Sequence, residues 1–590
     1  MKLSFIHSKS LLTLLSLILF LSLYRITHID SKEISWDVFG YYLYLPATFI
    51  HNDPFLSSID WIKQVNEQYN LASTLYMISS NDDGVPMYFF LMGTAIIYLP
   101  FFLLGHLTAW ITCVPMDGFT WPYQFTMVIG GIIYTCIGLV YLRKILTYFF
   151  SDKLTAFLLL LMVFGTNYIH HLTLKNLETV NILFMLSSIL IWKTIQWHIN
   201  FKKRDLYKIG LIIGLIFLIK PTETLIILFP LLFGIYSKET LKNKWELIKS
   251  HKKSLMIAGS LVLLVLLPQM IYWLKLTGKP IYDSYKNPGV GLDLFEPHIW
   301  NVLFSFRKGW FVYTPLMLLI LPGFIVFYKK NKTVFWAFFI YFIVSFYIIA
   351  SWSEWWYGAG FSIRPIITLY PVLFVAIGYF FQSVFIWKPV KKLGLSLIVS
   401  FFVFLNLFQW WQLLEYIWDP YRTTFEYYKA IFLKTERSEA YQKLLLVDRD
   451  ASYSHELNKN EYHLVKTISK SKKTVTLKEG EEFGDVFTLP YQSVTSKDHI
   501  WVETSFVLEN KHSVDTAPCF VMLMNRKEGV YGYFAPEIKD SIKNHYTFNY
   551  LTPEIRSTED ELKCYIWNRA RKPLKIISLK VKIWERKINF

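Results

Sequence analysis

Apolar runs about as long as a bilayer is thick alternate with short polar stretches over residues 10–414, and each run predicts a membrane-crossing helix. After a first run at Leu11–Leu23 they fall at 123–142, 154–169, 177–197, 206–220, 221–237, 254–274, 310–328, 333–351, 366–387 and 393–414. From about 470 the period changes to two. Ile500, Val502, Thr504, Phe506 and Leu508 share one face, as do Leu562, Cys564 and Ile566, then Leu579, Val581 and Ile583. Short alternating runs bounded by Gly, Asn, Asp and Pro predict a β-sandwich. Residues 415–469 read as a helical, charged connector between the two parts.

One further apolar run, 86–112, is long enough to cross, and charge decides how to read it. If it stays on one side, the loops at 143–153, 193–208, 238–253, 329–332 and 388–392 share a side, and they hold 20 Lys and Arg. That excess is what cytoplasmic loops carry. If 86–112 crosses, every one of those clusters moves outside. Pro100 also interrupts the run, so 86–112 is expected to be a re-entrant or in-plane segment within a large external loop, 30–122. Lys2 and Lys9 precede the first run and no small-residue cleavage site comes after it, so it reads as an uncleaved first span. The expected fold class is therefore a polytopic α-helical membrane protein. About eleven spans lie in 1–414, with a cytoplasmic N-terminus and an external all-β sandwich over 470–590, jelly-roll-like in pattern. The arms 206–220 and 221–237 are each short and turn at Lys220-Pro221; backbone freed there must be buried in protein or line a wet cavity.

Composition narrows the class. The chain is 53% hydrophobic with a mean hydropathy of +0.32, too apolar for a soluble protein. The net charge of +17 does not point to nucleic acid, because the lysines sit in short clusters between apolar runs. Four cysteines show no metal-like or C-x-x-C spacing. In an external β domain Cys519 and Cys564 could pair as a disulfide, if their strands are neighbours.

With this topology, ionisable groups collect on the external face, and such groups at membrane depth are costly and usually mark a site. Asp37, in Ser35-Trp36-Asp37-Val38-Phe39-Gly40, reads as a general base at the mouth of a span, or as a solvated acid in an aromatic belt. His170-His171 reads as an interfacial pair bonded to backbone or as metal ligands, with Lys175 and Glu178 just beyond. Lys220 and Glu223, three apart, pair with each other or meet a phosphate. Arg307 and Lys308 precede a span on the side normally poor in cations, which suits a lipid-linked phosphate. The stretch Trp352-Ser353-Glu354-Trp355-Trp356-Tyr357 ends in a Gly-rich turn before Arg364. Glu354, Trp356 and Tyr357 offer a sugar or lipid platform. Arg364 offers a planar fork for phosphate or snorkels to headgroups.

Four features carry a family resemblance: Trp36-Asp37 in the first external loop; Gly84-Val85-Pro86 leading into Tyr98-Leu99-Pro100-Phe101-Phe102; Ser305-Phe306-Arg307-Lys308-Gly309 with Tyr313-Thr314-Pro315; and Trp355-Trp356-Tyr357-Gly358 through Arg364-Pro365. Over roughly residues 10–414 the chain resembles the GT-C superfamily of polytopic glycosyltransferases, the class of protein O-mannosyltransferases and lipid A aminoarabinose transferases. The resemblance implies transfer of a sugar from a polyprenyl-phosphate donor to a glycan, lipid or protein acceptor on the outer face of the cytoplasmic membrane. Asp37 would match the family's first-loop carboxylate. Many members carry a second acid beside it where this chain has Val38, which leaves a divalent metal allowed but not required. Donor phosphate and substrate contacts are then expected from Arg364, Lys220, Arg307, Lys308, Lys175, Glu354, Trp356 and Tyr357. A transporter or flippase, or a lipid-linked glycan ligase or polymerase, is the competing reading. No internal repeat supports the transporter.

Overall fold

A computed structural model describes residues 8–285, 290–447, 456–470, 475–509, 517–526, 529–539 and 544–587. Lys2, one of the two lysines used to orient the first span, lies outside these residues. The chain forms two units. One comprises Met1–Lys286, Ile299–Ala350 and Trp356–Glu415; the other comprises Asn287–His298, Ser351–Trp355 and Tyr416–Phe590.

The first unit is helical. Among the described residues eight helical runs are long and apolar enough to cross a membrane: Lys9–Thr27, Gly93–Ile111, Trp121–Phe149, Thr179–Asn200, Lys252–Thr277, Lys332–Ala350, Arg364–Val384 and Pro389–Leu414. At 1.5 Å per residue a 19-residue helix such as Lys9–Thr27 spans about 28 Å, close to the hydrocarbon thickness of a bilayer. Such helices suggest a membrane protein.

Other expected spans are shorter or broken. Residues 152–164 form a 13-residue helix. The arm at 206–220 is the helix Lys203–Ile219, but 221–237 gives only a 3₁₀ turn, Pro221–Ile227, and the short helix Leu228–Leu232. Pro221 forces the change: the residue before a proline is driven out of the helical region, and Lys220 is extended at φ −156°, ψ 104°. The run 310–328 breaks for the same reason at Thr314-Pro315, into Trp310–Tyr313, Pro315–Leu319 and Ile320–Lys330.

Polar contacts distinguish two ends of this unit. At one end Ser8 donates to Asp152 Oδ1 (2.7 Å) and Arg143 Nε donates to Ser10 Oγ (2.8 Å). Lys193 pairs with Asp205 (3.1 Å), and Asn331 donates to the Tyr379 hydroxyl (2.9 Å), whose ring packs on Phe150. The basic loops gather there. At the other end Arg25, fully buried, donates to Asn176 Oδ1 (2.8 Å) and pairs with Glu33. Ile34 N donates to Gln124 Oε1 (2.8 Å).

The segment 86–112 begins with a two-stranded hairpin, β1 (Ile78–Ser80) against β2 (Pro86–Tyr88). It then becomes the helix Gly93–Ile111, which runs through Pro100 without breaking. Both flanks of this helix reach the same loop region. Before it, Tyr88 N donates to the Tyr272 hydroxyl (3.0 Å), and the Tyr44 hydroxyl donates to Phe90 O (2.9 Å). Beyond it, Gly118 O accepts from the Tyr42 hydroxyl (2.6 Å) and Asp117 accepts from Tyr69.

The second unit carries β3 (Tyr462–Lys470), β4 (Val475–Leu477), β5 (Phe483–Pro490), β6 (Trp501–Leu508), β7 (Cys519–Arg526), β8 (Gly529–Phe534), β9 (His545–Leu551), β10 (Glu561–Trp567) and β11 (Leu574–Arg586). One antiparallel sheet has the order β5-β10-β7-β8; the other has β3-β11-β6-β9, with β4 on β11. Both sheets bury apolar faces in one core, to which Val502, Phe506, Phe520, Met522, Leu562 and Ile583 contribute. The segments 290–298 and 351–355 join this unit: Arg526 pairs with Asp293, whose N donates to Ser351 O (2.6 Å), and Arg556 pairs with Glu354 (2.9 Å).

Two expectations for this part change. Among its described residues the connector is largely non-helical, with one seven-residue helix, Phe425–Ile431, and the 3₁₀ turn Glu439–Leu444. The Asp419 carboxylate caps Tyr421 N and Arg422 N (both 2.8 Å) into a turn, Thr424 starts the helix, and Leu433 at φ 55° ends it. Cys519 and Cys564 do not form a disulfide. Their strands are neighbours, but Cys519 pairs in register with Trp567 and Cys564 with Met522. That three-residue offset sends the side chains to opposite faces of the sheet, and both thiols are free and buried.

Candidate functional site

Three distant residues meet at one guanidinium. Asp37 opens the helix Asp37–Tyr42. Glu178 is the residue before Thr179–Asn200. Arg364 opens the 3₁₀ turn that leads into Tyr370–Val384. Arg364 Nη2 donates to Asp37 Oδ2 (2.6 Å) and Nη1 donates to Glu178 Oε2 (3.0 Å). The three side chains are 23%, 25% and 13% exposed, so the ion pairs are largely withdrawn from water yet reachable. The second oxygen of Asp37, Oδ1, accepts from the Tyr76 hydroxyl (2.6 Å). Burial, then the Asp37 charge, raises the Tyr76 phenol, so Tyr76 stays a donor at working pH.

His171 lies beside Glu178, with Nδ1 3.5 Å from Oε2. Burial first, then the charges of Arg364, Lys175 and Lys308, pushes His171 down to about 3. It is therefore a neutral imidazole at pH 7, and its contact with Glu178 is not an ion pair. Neither ring nitrogen makes a hydrogen bond. His170 is displaced in the same direction, mainly by burial.

A second polar group flanks the first. Lys220 Nζ lies 3.6 Å from Glu223 Oε1 and 5.5 Å from the Tyr357 ring centroid, and Thr368 donates to Glu223 Oε2 (3.0 Å). The loop ahead of Arg364 is held from below. Lys308, fully buried, donates to Gly360 O, and Ser362 Oγ donates to Lys308 O (3.1 Å). Asn167 Nδ2 donates to Phe361 O (3.3 Å) and Ile363 O (3.2 Å). Trp36, Tyr357 and Ser362 sit at φ 52°, 53° and 60°. Side chains at positive φ cost on the order of 1–3 kcal/mol each and collect where packing over-determines the backbone, often at sites.

Of the residues singled out in the sequence, Asp37 and Arg364 are in contact, and Lys220 and Tyr357 form the neighbouring group. Lys308 pegs the loop. Arg307 lies over the Trp356 ring (4.2 Å) and Trp356 is buried, so both serve the loop's packing. Lys175 is exposed. Glu354 belongs to the second unit, where Arg556 holds it. Tyr76 is not among the residues named from the sequence, and Glu178 is named there only as an external-face acid next to Lys175, with no role. Tyr76 is separated from Asp37 by 39 residues and Glu178 from Arg364 by 186, so no local spacing announces them. Among the described residues no three His, Cys, Asp or Glu side chains group as a metal centre.

Together, the long apolar helices suggest a membrane protein, and this half-buried cluster of charges lies at the end of the helical unit opposite its basic loops. No protein-family model matches the chain, and a search of curated proteins finds no relative.

Proposed function

We propose that the protein is a membrane glycosyltransferase of GT-C type, moving a sugar from a polyprenyl-phosphate donor to an acceptor hydroxyl at the outer face of the cytoplasmic membrane. The observation that carries this reading is the Asp37–Arg364–Glu178 cluster: a carboxylate fit to act as base, held against a guanidinium fit to take a phosphate. In the reaction the acceptor oxygen attacks the anomeric carbon and its proton passes to the Asp37 carboxylate. The bond from the anomeric carbon to the phosphate oxygen breaks, and its electron pair leaves with the polyprenyl phosphate. Arg364 and Lys220 stabilise the charge that grows there.

Two further features support the reading. An apolar cavity of about 240 Å³ is lined by Tyr44, Phe49, Phe55, Ile96, Pro268 and Ile271, among others. It suits part of an isoprenoid chain entering from lipid. The anchoring of both flanks of Gly93–Ile111 to one loop region supports an in-plane helix, and with it about eleven crossings and an external β unit of jelly-roll type.

Asp37→Asn tests the reading. It keeps size and hydrogen-bonding reach but removes the base, so transfer from a polyprenyl-phosphate sugar should fall about 10²–10⁴-fold. Asp83→Asn, in the same loop and exposed, is the control. An Asp37→Asn protein that transfers at the wild-type rate would remove Asp37 from the mechanism.

A further inference from the structure

The helix Lys238–Ser250 begins with a capping box between Ser237 and Thr240 and is 13 residues long. Lys244 ties it to the rest of the unit: it is buried, its Nζ donating to Pro230 O (2.8 Å) and Phe233 O (3.0 Å) and lying 2.7 Å from His198 Nε2, while Leu247 and Ile248 are partly buried. The apolar residues one turn apart do not share that burial. Leu241 is 55% exposed and Trp245 is 56% exposed. At 3.6 residues per turn, Lys238, Lys242 and Lys249 border this Leu–Trp stripe on one side, Glu239 and Glu246 lie further round beyond the lysines, and the buried Lys244 lies on the other side. The Lys249–Glu246 pair (3.2 Å) is exposed and weak.

The neighbouring helix indicates the surroundings of the stripe. After His251 the helix Lys252–Thr277 begins, with two more lysines, Lys252 and Lys253, at its start. Only 17% of its apolar window is buried, and Met256, Leu263 and Leu264 are at least 60% exposed. A helix this apolar and this bare faces lipid tails. The Leu241–Trp245 stripe therefore sits next to the lipid-facing surface, at the end of the unit where the basic loops gather. An amphipathic helix with Trp and Leu on one strip and lysines along its border is built for the headgroup layer.

We propose that Lys238–Ser250 is a binding site for an anionic lipid leaflet: Leu241 and Trp245 enter the boundary between headgroups and acyl chains, and Lys238, Lys242 and Lys249 meet lipid phosphates. This does not depend on the catalytic reading. The test uses full-length protein carrying Cys113→Ser and Cys136→Ser, which leaves the buried Cys519 and Cys564. Leu241→Cys, Trp245→Cys, Glu239→Cys or Glu246→Cys is then spin-labelled, and the protein is placed in nanodiscs of phosphatidylcholine with or without phosphatidylglycerol. The labels at 241 and 245 should be several-fold more accessible to oxygen than to a water-soluble nickel chelate; those at 239 and 246 should show the reverse. Phosphatidylglycerol should deepen the first pair, and high salt or the combined Lys238→Gln, Lys242→Gln and Lys249→Gln change should abolish that deepening. Water-exposed labels at 241 and 245 in both nanodiscs overturn the proposal. Depths that ignore phosphatidylglycerol and the lysines overturn its anionic part. Low accessibility at 241 and 245 to both oxygen and the nickel chelate marks a protein contact instead and also overturns it.

Discussion

Arg364→Lys keeps the charge of the cluster but replaces a planar fork by one ammonium, which cannot reach Asp37 and Glu178 as the guanidinium does at 2.6 and 3.0 Å. One charge-assisted hydrogen bond is lost, in surroundings where the three side chains are at most 25% exposed. A hydrogen bond to a charged group contributes about 1.5–3 kcal/mol. If Arg364 turns its fork to the donor phosphate, the same quantity is lost from donor binding, a factor of roughly 10–150. The donor must also draw Arg364 away from Asp37 before that carboxylate is free to accept a proton, so donor binding and release of the base are one event. In steady-state transfer assays with a short-chain polyprenyl-phosphate sugar, Arg364→Lys should raise the donor KM by about that factor and change kcat less. A variant with wild-type KM and a reduced kcat would refute the phosphate role and make Arg364 a positioning residue for Asp37. A variant unchanged in both would place the phosphate elsewhere.

Tyr76→Phe removes the donor to Asp37 Oδ1; kcat should fall about tenfold with donor KM unchanged, whereas a purely structural role would move both or neither. His171 is neutral when folded, down to about 3, while the unfolded chain protonates near 6.5. Between those values the unfolded state binds the extra proton, so stability falls as pH drops, by at most about 1.4 kcal/mol per unit from this group. His171→Asn should flatten the decline of the unfolding midpoint between pH 6.5 and 4, and an unchanged slope would count against the assignment. Cys519 and Cys564 should both alkylate in denatured protein without reductant, since they lie on opposite faces of a sheet.

The apolar runs were long enough to announce most helices, and the two-residue alternation of β6, β10 and β11 announced the strands, because burial follows the period of each element. Where the reading stretched too far at 310–328, proline was the cause: Pro315 broke a run whose hydropathy alone looked continuous, whereas the break at Pro221 falls at the expected turn. Pro100 did the opposite and sits inside an intact helix. The connector misled because helix-forming residues there were overruled by the turn at Asp419 and by the left-handed Leu433. In the candidate site, Asp37 and Arg364 stood out as charges beside apolar runs. Glu178 looked like any loop acid and Tyr76 like any loop aromatic, and only the packing of distant segments gave them partners.

The shared guanidinium also sets an order of events during synthesis. Asp37 and Glu178 leave the ribosome first, and Arg364 comes 186 residues after Glu178. At 5–20 residues per second that gap lasts roughly 10–40 s. Through that interval two carboxylates wait without the cation that pairs them in the finished chain. A chain that stops before Arg364 can insert but cannot assemble its centre.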